Sequence, residues 1–398
     1  MTNIAILGFG VVGSGVAEVL TQNLALMEAR IHRKLNLKYI LDLKDFPGNP
    51  FENKIIHDFN IILNDPGITI VAEMMGGIHP AYDFSLACLK AGKSVVTSNK
   101  EVVARYGVEL LEAARENNVQ YLFEASVGGG IPIVRPLADD LAANSIQSID
   151  GILNGTTNYI LTKMQSEKTD FSVVLAEAQK LGYAEANPAA DVDGIDAARK
   201  IAILAAIAFG KLIPTDKIHT EGISDITPLD FKIASVLGCS VKLIAHAELT
   251  NGRILAMVSP RMVPYHNPLH SVNDVFNGIL VDADMLGQTM FYGQGAGKLP
   301  TASAVVSDIL EIAKSPINNE AFPLFVPANK DDIVPFETYS CKHVLVYRKK
   351  DEGKVSGILG NRIICEDYVA LLTGNLSEKV MKQIVDTLGD TLISCMRM

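Results

Sequence analysis

The sequence predicts an α/β fold: a Rossmann-type doubly wound parallel sheet at the N-terminus, an α+β substrate domain in the middle and a small α+β unit at the C-terminus. Three observations predict it. Residues 3–7 form a short apolar run that reads as a buried strand, and the glycine turn at 8–15 and a helical repeat through Val16, Val19 and Leu20 follow at once. Strand patterns at 38–41, 68–73, 94–97 and 121–123 then alternate with helical patterns at 82–91 and 102–117, an alternation that builds a parallel sheet covered on both faces. Near the C-terminus the pattern changes to strands at 343–348, 362–367 and 368–372, a helix at 378–388 and a strand at 391–396. Pro323, Pro327 and Pro335 mark a linker before this β-β-β-α-β unit. The division expected is 1–132, 133–318 with a return to the first domain near 293–318, a linker at 319–341, and 342–398.

At 398 residues the chain exceeds one ordinary core. Its net charge of −10 leaves no basic face for phosphates, which argues against nucleic-acid and membrane-surface partners and for small molecules. No apolar run reaches the about 18 to 20 residues of a membrane span, and the N-terminus lacks a charged signal region, so a cytoplasmic protein is expected. Five scattered cysteines, without C-x-x-C pairs, indicate neither a disulfide framework nor a zinc site.

In the glycine turn, Gly8 makes the tight bend, Gly10 admits a pyrophosphate to the backbone and Gly13 permits close packing, while the helix N-terminus attracts negative charge. The turn therefore predicts dinucleotide binding. At the end of the second strand Asp42 suits the ribose hydroxyls of NAD, whereas Lys44, with Arg33 and Lys34 ahead of the strand, suits the 2′-phosphate of NADP; both cofactors stay open. The interval from Gly13 to Asp42 exceeds the usual about 20 residues, which puts the position of Asp42 in question. Residues 97–100, with Ser98 and Lys100, sit at the carboxyl end of a strand, where open α/β sheets bind ligands. Residues 124–132 end another strand with three consecutive glycines beside Glu124, a turn whose carbonyls are candidate ligands for a hard cation.

The middle of the chain carries three polar segments. Residues 152–161 run from a strand into Asn-Gly-Thr-Thr-Asn and a helix, and Thr156, Thr157 and Asn158 are candidates to cap it or touch a ligand. Residues 182–200 place Glu185, Asp191, Asp193, Asp196 and Lys200 before the apolar run 201–209. In a helix over 194–209, Asp196 and Lys200 share a face at i and i+4, and the apolar run marks the helix as buried with its charged start at a cleft. Residues 293–310 supply a second glycine turn, with Gly295 and Gly297, opening a helix.

Taken in this order, GFGVVGSG, TSNK, EASVGGGIPI, NGTTNYI, GYAEANPAADVDGIDAARK and GQGAGKLPTASAVVSD resemble homoserine dehydrogenase over about residues 3–310. The resemblance implies reversible NAD(P)-dependent interconversion of L-homoserine and L-aspartate 4-semialdehyde, on the route to threonine and methionine, by a homodimer or a tetramer. It implies Lys200 as general acid/base, Lys100 as a second catalytic lysine, and a substrate site of Glu185, Asp196, Asp191, Gly182, Tyr183 and Thr156. The cofactor would be held by Gly8, Gly10, Val11, Val12 and Gly13, with Asp42, Lys44, Ser98, Lys100, Gly295 and Gly297. A monovalent cation, sodium or potassium, would take oxygens from Glu124, Val127, Gly129 and Ile131. Ser98 stands where the family commonly has alanine. Many members end in an ACT regulatory domain of βαββαβ order; here residues 349–361 are short and glycine-rich, so the first helix is expected to be truncated or missing and threonine inhibition weak or absent. Two rivals are another semialdehyde dehydrogenase, which needs a nucleophilic cysteine, and a dinucleotide-sensing protein without turnover. Cys88 and Cys239 lie in apolar helical patterns without a nearby histidine in sequence, which disfavours the first.

Overall fold

A computed structural model describes residues 1–314 and 325–398; Pro323 and the expected boundary at 318–319 fall outside them. The chain divides into two compact units, Met1–Ser145 with Ala202–Thr215 and Phe291–Pro327, and Ile146–Ile201 with Asp216–Met290 and Ala328–Met398.

In the first unit, apolar runs buried on both faces force parallel pairing. Ile4 to Leu7, Ile70 to Ala72, Val95 and Val96 are all buried. The strands lie in the spatial order Ile55–Ile56, Leu35–Leu41, Thr2–Leu7, Ile68–Glu73, Ser94–Thr97, Tyr121–Leu122, every neighbour parallel. Numbered along the chain this is 3-2-1-4-5-6, the doubly wound order, and its direction reverses between Thr2–Leu7 and Ile68–Glu73. The two-residue strand Ile55–Ile56 is too short to show as a period in the sequence. The helix Lys298–Lys314 packs into this unit's core: Ala302, Val305 and Ile309 share one apolar cluster with Ile4, Ile6 and Val16.

The second unit is built on a long hairpin, Cys239–Thr250 against Arg253–Pro264. Asn251 and Gly252 turn it with φ of 51° and 75°, as a two-residue turn between twisted strands requires. Cys239 therefore opens a strand rather than lying in a helix, and residues 239–247 are buried in succession because both faces of that strand are covered. Ile146–Ile152 and then Phe276–Ala283 extend the sheet antiparallel on one side.

On its other side stands the C-terminal unit. Its order is His343–Arg348, a 3₁₀ turn Lys349–Asp351 with the one-turn helix Glu352–Val355, Gly360–Cys365, Tyr368–Thr373, Glu378–Leu388 and Leu392–Arg397. The first helix is thus present but truncated, correcting the β-β-β-α-β reading to βαββαβ; four residues cannot show a helical period. Leu345, Tyr347, Val369, Leu371 and Met381 form its core, and its last strand joins the long sheet at Arg261 and Arg397. Among the described residues no helix is long and apolar enough to cross a membrane.

Arg397 is buried and holds two carboxylates at once. Its Nη1 and Nη2 donate to Glu221 at 2.6 and 2.8 Å, and its Nε and Nη2 donate to Glu378 at 2.7 and 2.9 Å. Burial alone raises both carboxyls, but hydrogen bonds from His219 and Arg397 to Glu221, and from His343 and Arg397 to Glu378, outweigh it and hold each at about 2. Both lie below the ordinary 4.5, so their stabilisation is complete above that pH and is lost as pH falls through about 2. The melting temperature should fall steeply between those limits, and Arg397→Leu should flatten that dependence while lowering the melting temperature at neutral pH; an unchanged acid limb in the variant would contradict the assignment.

Candidate active site

The glycine turn begins where Thr2–Leu7 ends. Gly8 has φ of +89°, and a Cβ placed there would lie 3.1 Å from the Met74 carbonyl oxygen. At Gly13 a Cβ would stand 1.9 Å from the Gly8 carbonyl oxygen, so the turn closes only with glycine at that position. At Gly10 the same atom would meet nothing within 4 Å, which leaves open space beside the backbone. Gly10 is the N-cap of the helix Val11–Gln22, whose start has no side-chain cap and no acid in its first turn. The amides of Val11, Val12 and Gly13 lack intrahelical acceptors, which fits a pyrophosphate.

Asp42 follows directly on the strand Leu35–Leu41. The long interval from Gly13 is taken up by an extra helix, Leu24–Ile31, so Asp42 does occupy the strand-end position. Its carboxylate accepts from the Phe9 amide at 2.7 Å and the Lys44 amide at 3.0 Å, tying the strand end to the glycine turn. The Lys44 side chain is exposed.

Lys100 opens the helix Lys100–Glu116, capped by Asn99, whose Oδ1 accepts from Val102 N at 3.2 Å. Ser98 Oγ lies 3.7 Å from Met74 Sδ. The turn after Tyr121–Leu122 is organised by Glu124: its buried carboxylate accepts the amides of Ile133 and Val134 at 2.7 and 2.8 Å and of Arg135 at 2.8 Å. Glu124 thus serves as a helix-start anchor, and a cation at this turn would rely on main-chain oxygens such as those of Val127, Gly129 and Ile131. Gly129 has φ of +58°, and a Cβ there would be 2.4 Å from the Gly295 carbonyl oxygen, so the two glycine-rich turns meet backbone to backbone. Gly297, at φ +121°, leads into Lys298–Lys314, and a Cβ at Gly15 would lie 2.8 Å from the Lys298 carbonyl oxygen.

In the second unit the charged block folds onto the start of Ile195–Phe209. Lys200 Nζ donates to the Leu153 carbonyl at 2.6 Å and pairs with Asp196 Oδ2 at 2.9 Å, and both side chains are under one-tenth exposed. Asn154 Nδ2 donates to Asp191 Oδ1 at 2.7 Å and Asp196 Oδ2 at 2.9 Å, while its Oδ1 caps Gly155–Glu167 through Thr157 N. A buried pair that loses one partner costs about 3–5 kcal/mol, so this cluster is tightly specified. Thr156 Oγ1 donates to the Tyr183 carbonyl, and the Tyr183 ring lies against Tyr159. Gly182 turns the chain with φ of +78°. The Glu185 side chain is exposed, and its carbonyl accepts from Gln179.

The structure therefore joins Asp196 and Lys200, as the i,i+4 spacing suggested, brings Asp191 to them through Asn154 while the Glu185 side chain stays exposed, and so adds Asn154, which the sequence reading passed over in favour of Thr156, Thr157 and Asn158. The signal was the Asn-Gly pair at a strand end, the favoured cap chemistry. Cys88 and Cys239 are buried, and burial pushes their thiols up to about 12 and about 11, so neither is poised as the thiolate nucleophile that an aldehyde-oxidising enzyme needs.

A doubly wound sheet with a glycine turn at its first strand, and a separate unit carrying a buried lysine–carboxylate cluster, defines a dinucleotide-dependent oxidoreductase. Family models narrow the class: residues 8–124 match "Homoserine dehydrogenase, NAD binding domain" and residues 132–310 match "Homoserine dehydrogenase". The homoserine dehydrogenase of Synechocystis sp. is 47% identical over 332 residues, covering 81% of this chain and 76% of that protein. That of Bacillus subtilis is 38% identical, covering 89% and 83%. The crystal structure of a homoserine dehydrogenase from Thiobacillus denitrificans superposes with a TM-score of 0.89 at 33% identity, over 100% of this chain and 97% of that one. A hyperthermophilic archaeal homoserine dehydrogenase mutant in complex with NADPH gives 0.67 at 30% identity, over 80% and 99%. The chain belongs to the homoserine dehydrogenase family, and its first unit is a nicotinamide dinucleotide-binding domain.

Two glycine substitutions separate packing from binding. Gly10→Ala should keep the wild-type melting temperature but weaken cofactor binding at least about tenfold, because the methyl enters space a pyrophosphate needs. Gly13→Ala should lose both. Calorimetric titration and thermal melting check this, and unaltered cofactor affinity in Gly10→Ala would refute the phosphate assignment.

Proposed function

We propose that the chain interconverts L-homoserine and L-aspartate 4-semialdehyde reversibly, with Lys200 exchanging the proton of the reacting oxygen. The observation that carries this reading is the buried Lys200, fixed by the Leu153 carbonyl and Asp196 at the start of an apolar helix. In the oxidative direction Lys200, as the neutral amine, takes the hydroxyl proton, and in the reductive direction, as the ammonium, it returns one to the forming alkoxide. The bound nicotinamide supplies the hydride acceptor or donor. Asp191 and Asp196, with Glu185, suit a substrate whose α-amino group is cationic, and Gly182, Tyr183 and Thr156 shape the same site. Lys100 is the second lysine of the mechanism.

Gly8, Gly10, Val11, Val12 and Gly13 hold the cofactor phosphates in this reading, with Ser98, Gly295 and Gly297 near them. The cofactor is NAD or NADP: Asp42 favours a ribose diol and the exposed Lys44 a 2′-phosphate. A sodium or potassium ion is held by carbonyl oxygens of Val127, Gly129 and Ile131 beside Glu124. The enzyme works in the cytoplasm as a homodimer or a tetramer, with the first 132 residues as its nucleotide domain and 342–398 as a truncated ACT-like unit.

A spectrophotometric assay with L-homoserine and each of NAD and NADP tests the reaction. Lys200→Ala should lower kcat by about 10²- to 10⁴-fold, the usual contribution of a general acid/base, and full activity in that variant would sink the assignment. The single-turn helix Glu352–Val355 leaves little of the first-helix surface on which an effector would sit. Millimolar threonine should therefore inhibit weakly or not at all, and strong saturable inhibition would overturn this.

A further inference from the structure

The carboxyl end of Ile68–Glu73 carries a group that the reaction as proposed does not use. Glu73 is fully buried and lies beside Leu7 on one flank and Thr97 on the other, so it stands where the strand order of the sheet reverses. Open α/β sheets bind their ligands in the crevice at that point.

Its two carboxylate oxygens accept from two different turns. Met75 N donates to Oε1 at 2.6 Å, and Thr97 Oγ1 donates to Oε2 at 2.7 Å. The Met75 side belongs to the wall of the glycine turn, since a Cβ at Gly8 would lie 3.1 Å from both the Met74 carbonyl oxygen and Met75 Cγ. The Thr97 side belongs to the turn that carries Lys100: Thr97 Oγ1 accepts from Asn99 N at 2.9 Å, and Asn99 caps the helix that Lys100 begins. Asn99 closes the circuit by donating its amide to the carbonyls of Gly77 and Met75, at 2.7 and 3.3 Å. We propose that Glu73 is a positioning residue, setting the Lys100 turn in register with the cofactor turn at Gly8. The proposal rests on the reading of Lys100 as a catalytic group.

The chemistry requires an acid here and not merely a polar group. Met75 N–H and Thr97 O–H are both donors, and a carboxylate meets two donors with two acceptor oxygens, whereas an amide offers one. Burial pushes the Glu73 carboxyl up to about 7, against the pull of Thr97 and Met75, so its ionisation falls in the working range. Among the described residues the titratable group coupled to it is Tyr121, fully buried two strands away, whose hydroxyl is raised by its burial and by the Glu73 charge.

Glu73→Gln keeps the volume but removes one acceptor, and Thr97→Val removes the hydroxyl while keeping the shape. Each should lower kcat about 10- to 100-fold, as small misplacements of a reacting group do, with melting temperature within a few degrees of wild type. Thr97→Ser, which restores the hydroxyl, should recover most of the loss. In Glu73→Gln the kcat–pH profile should also lose its inflection near neutrality. The idea is overturned if kcat and both KM values of Glu73→Gln and Thr97→Val match wild type, or if their losses merely track a lower melting temperature and Thr97→Ser gives no rescue. Lys100→Met, assayed alongside, separates the two readings: a fully active Lys100→Met with an impaired Glu73→Gln faults the role given to Lys100, whereas the reverse pattern faults only Glu73.

Discussion

Everything in the second unit's site follows from one electrostatic constraint: an ammonium and a carboxylate are buried at the start of an apolar helix and must be met by fixed partners. An ion pair alone seldom repays its desolvation in a protein interior, so further hydrogen bonds have to complete it. Lys200 gets its second acceptor from the Leu153 carbonyl, and Asp196 gets a second donor from Asn154. That demand fixes the chain between them. The strand Ile146–Ile152 must end so that the carbonyl of residue 153 is free of the sheet, and residue 154 must be one whose side chain both donates outward and caps the next helix. Asparagine meets both demands, and the adjacent Gly155 leaves room where a Cβ would lie 2.8 Å from the Val275 carbonyl oxygen.

The same logic operates in the first unit with backbone partners in place of charges. Glu124 spends its carboxylate on three successive amides, and Glu73 spends its own on one amide and one hydroxyl. Asp42 likewise accepts two amides. Each acid sits at the carboxyl end of a parallel strand, where the chain leaves the sheet and must turn. In each case the carboxylate fixes the direction of the segment that follows. A parallel sheet thus gathers polar groups at one edge for structural reasons, and that edge is also the one at which its ligands bind.

Legibility in the sequence tracked the range of the interactions. The glycine turn, the i,i+4 pair of Asp196 and Lys200 and the alternation of strands and helices are local patterns, and they were readable. For Asn154 only the capping role had a local signal; its place in the charged cluster did not, because its carboxylate partners are 37 and 42 residues away. Glu73 was invisible for a similar reason: nothing within its own strand distinguishes it from a surface acid, and only pairing with Thr97, 24 residues on, reveals it. The spacing of Asp42 misled in the opposite sense, since a whole extra helix can be inserted without moving the strand end. Cys239 was misread because a strand buried on both faces and a buried helix carry the same run of apolar residues.

The C-terminal unit is tied to the charged cluster by contacts that transmit displacement instead of absorbing it. Arg397 grips Glu221, and the next residue, Gly222, has no room for a side chain: a Cβ there would lie 2.5 Å from the Val192 carbonyl oxygen and 2.9 Å from Asp193 Cα. Ile223 N then donates to that same Val192 carbonyl at 2.9 Å. Val192 follows Asp191 directly, and Gly194, itself crowded by Thr220 and Val258, precedes the helix bearing Asp196 and Lys200. Backbone packed on backbone has no rotamers with which to yield. The second half of Arg397's grip, on Glu378 at the start of Glu378–Leu388, fixes the C-terminal helix to the same guanidinium. A single-turn first helix therefore leaves this unit small without leaving it loose, because its last strand is anchored through one buried cation to the segment that places Asp191 and Asp196.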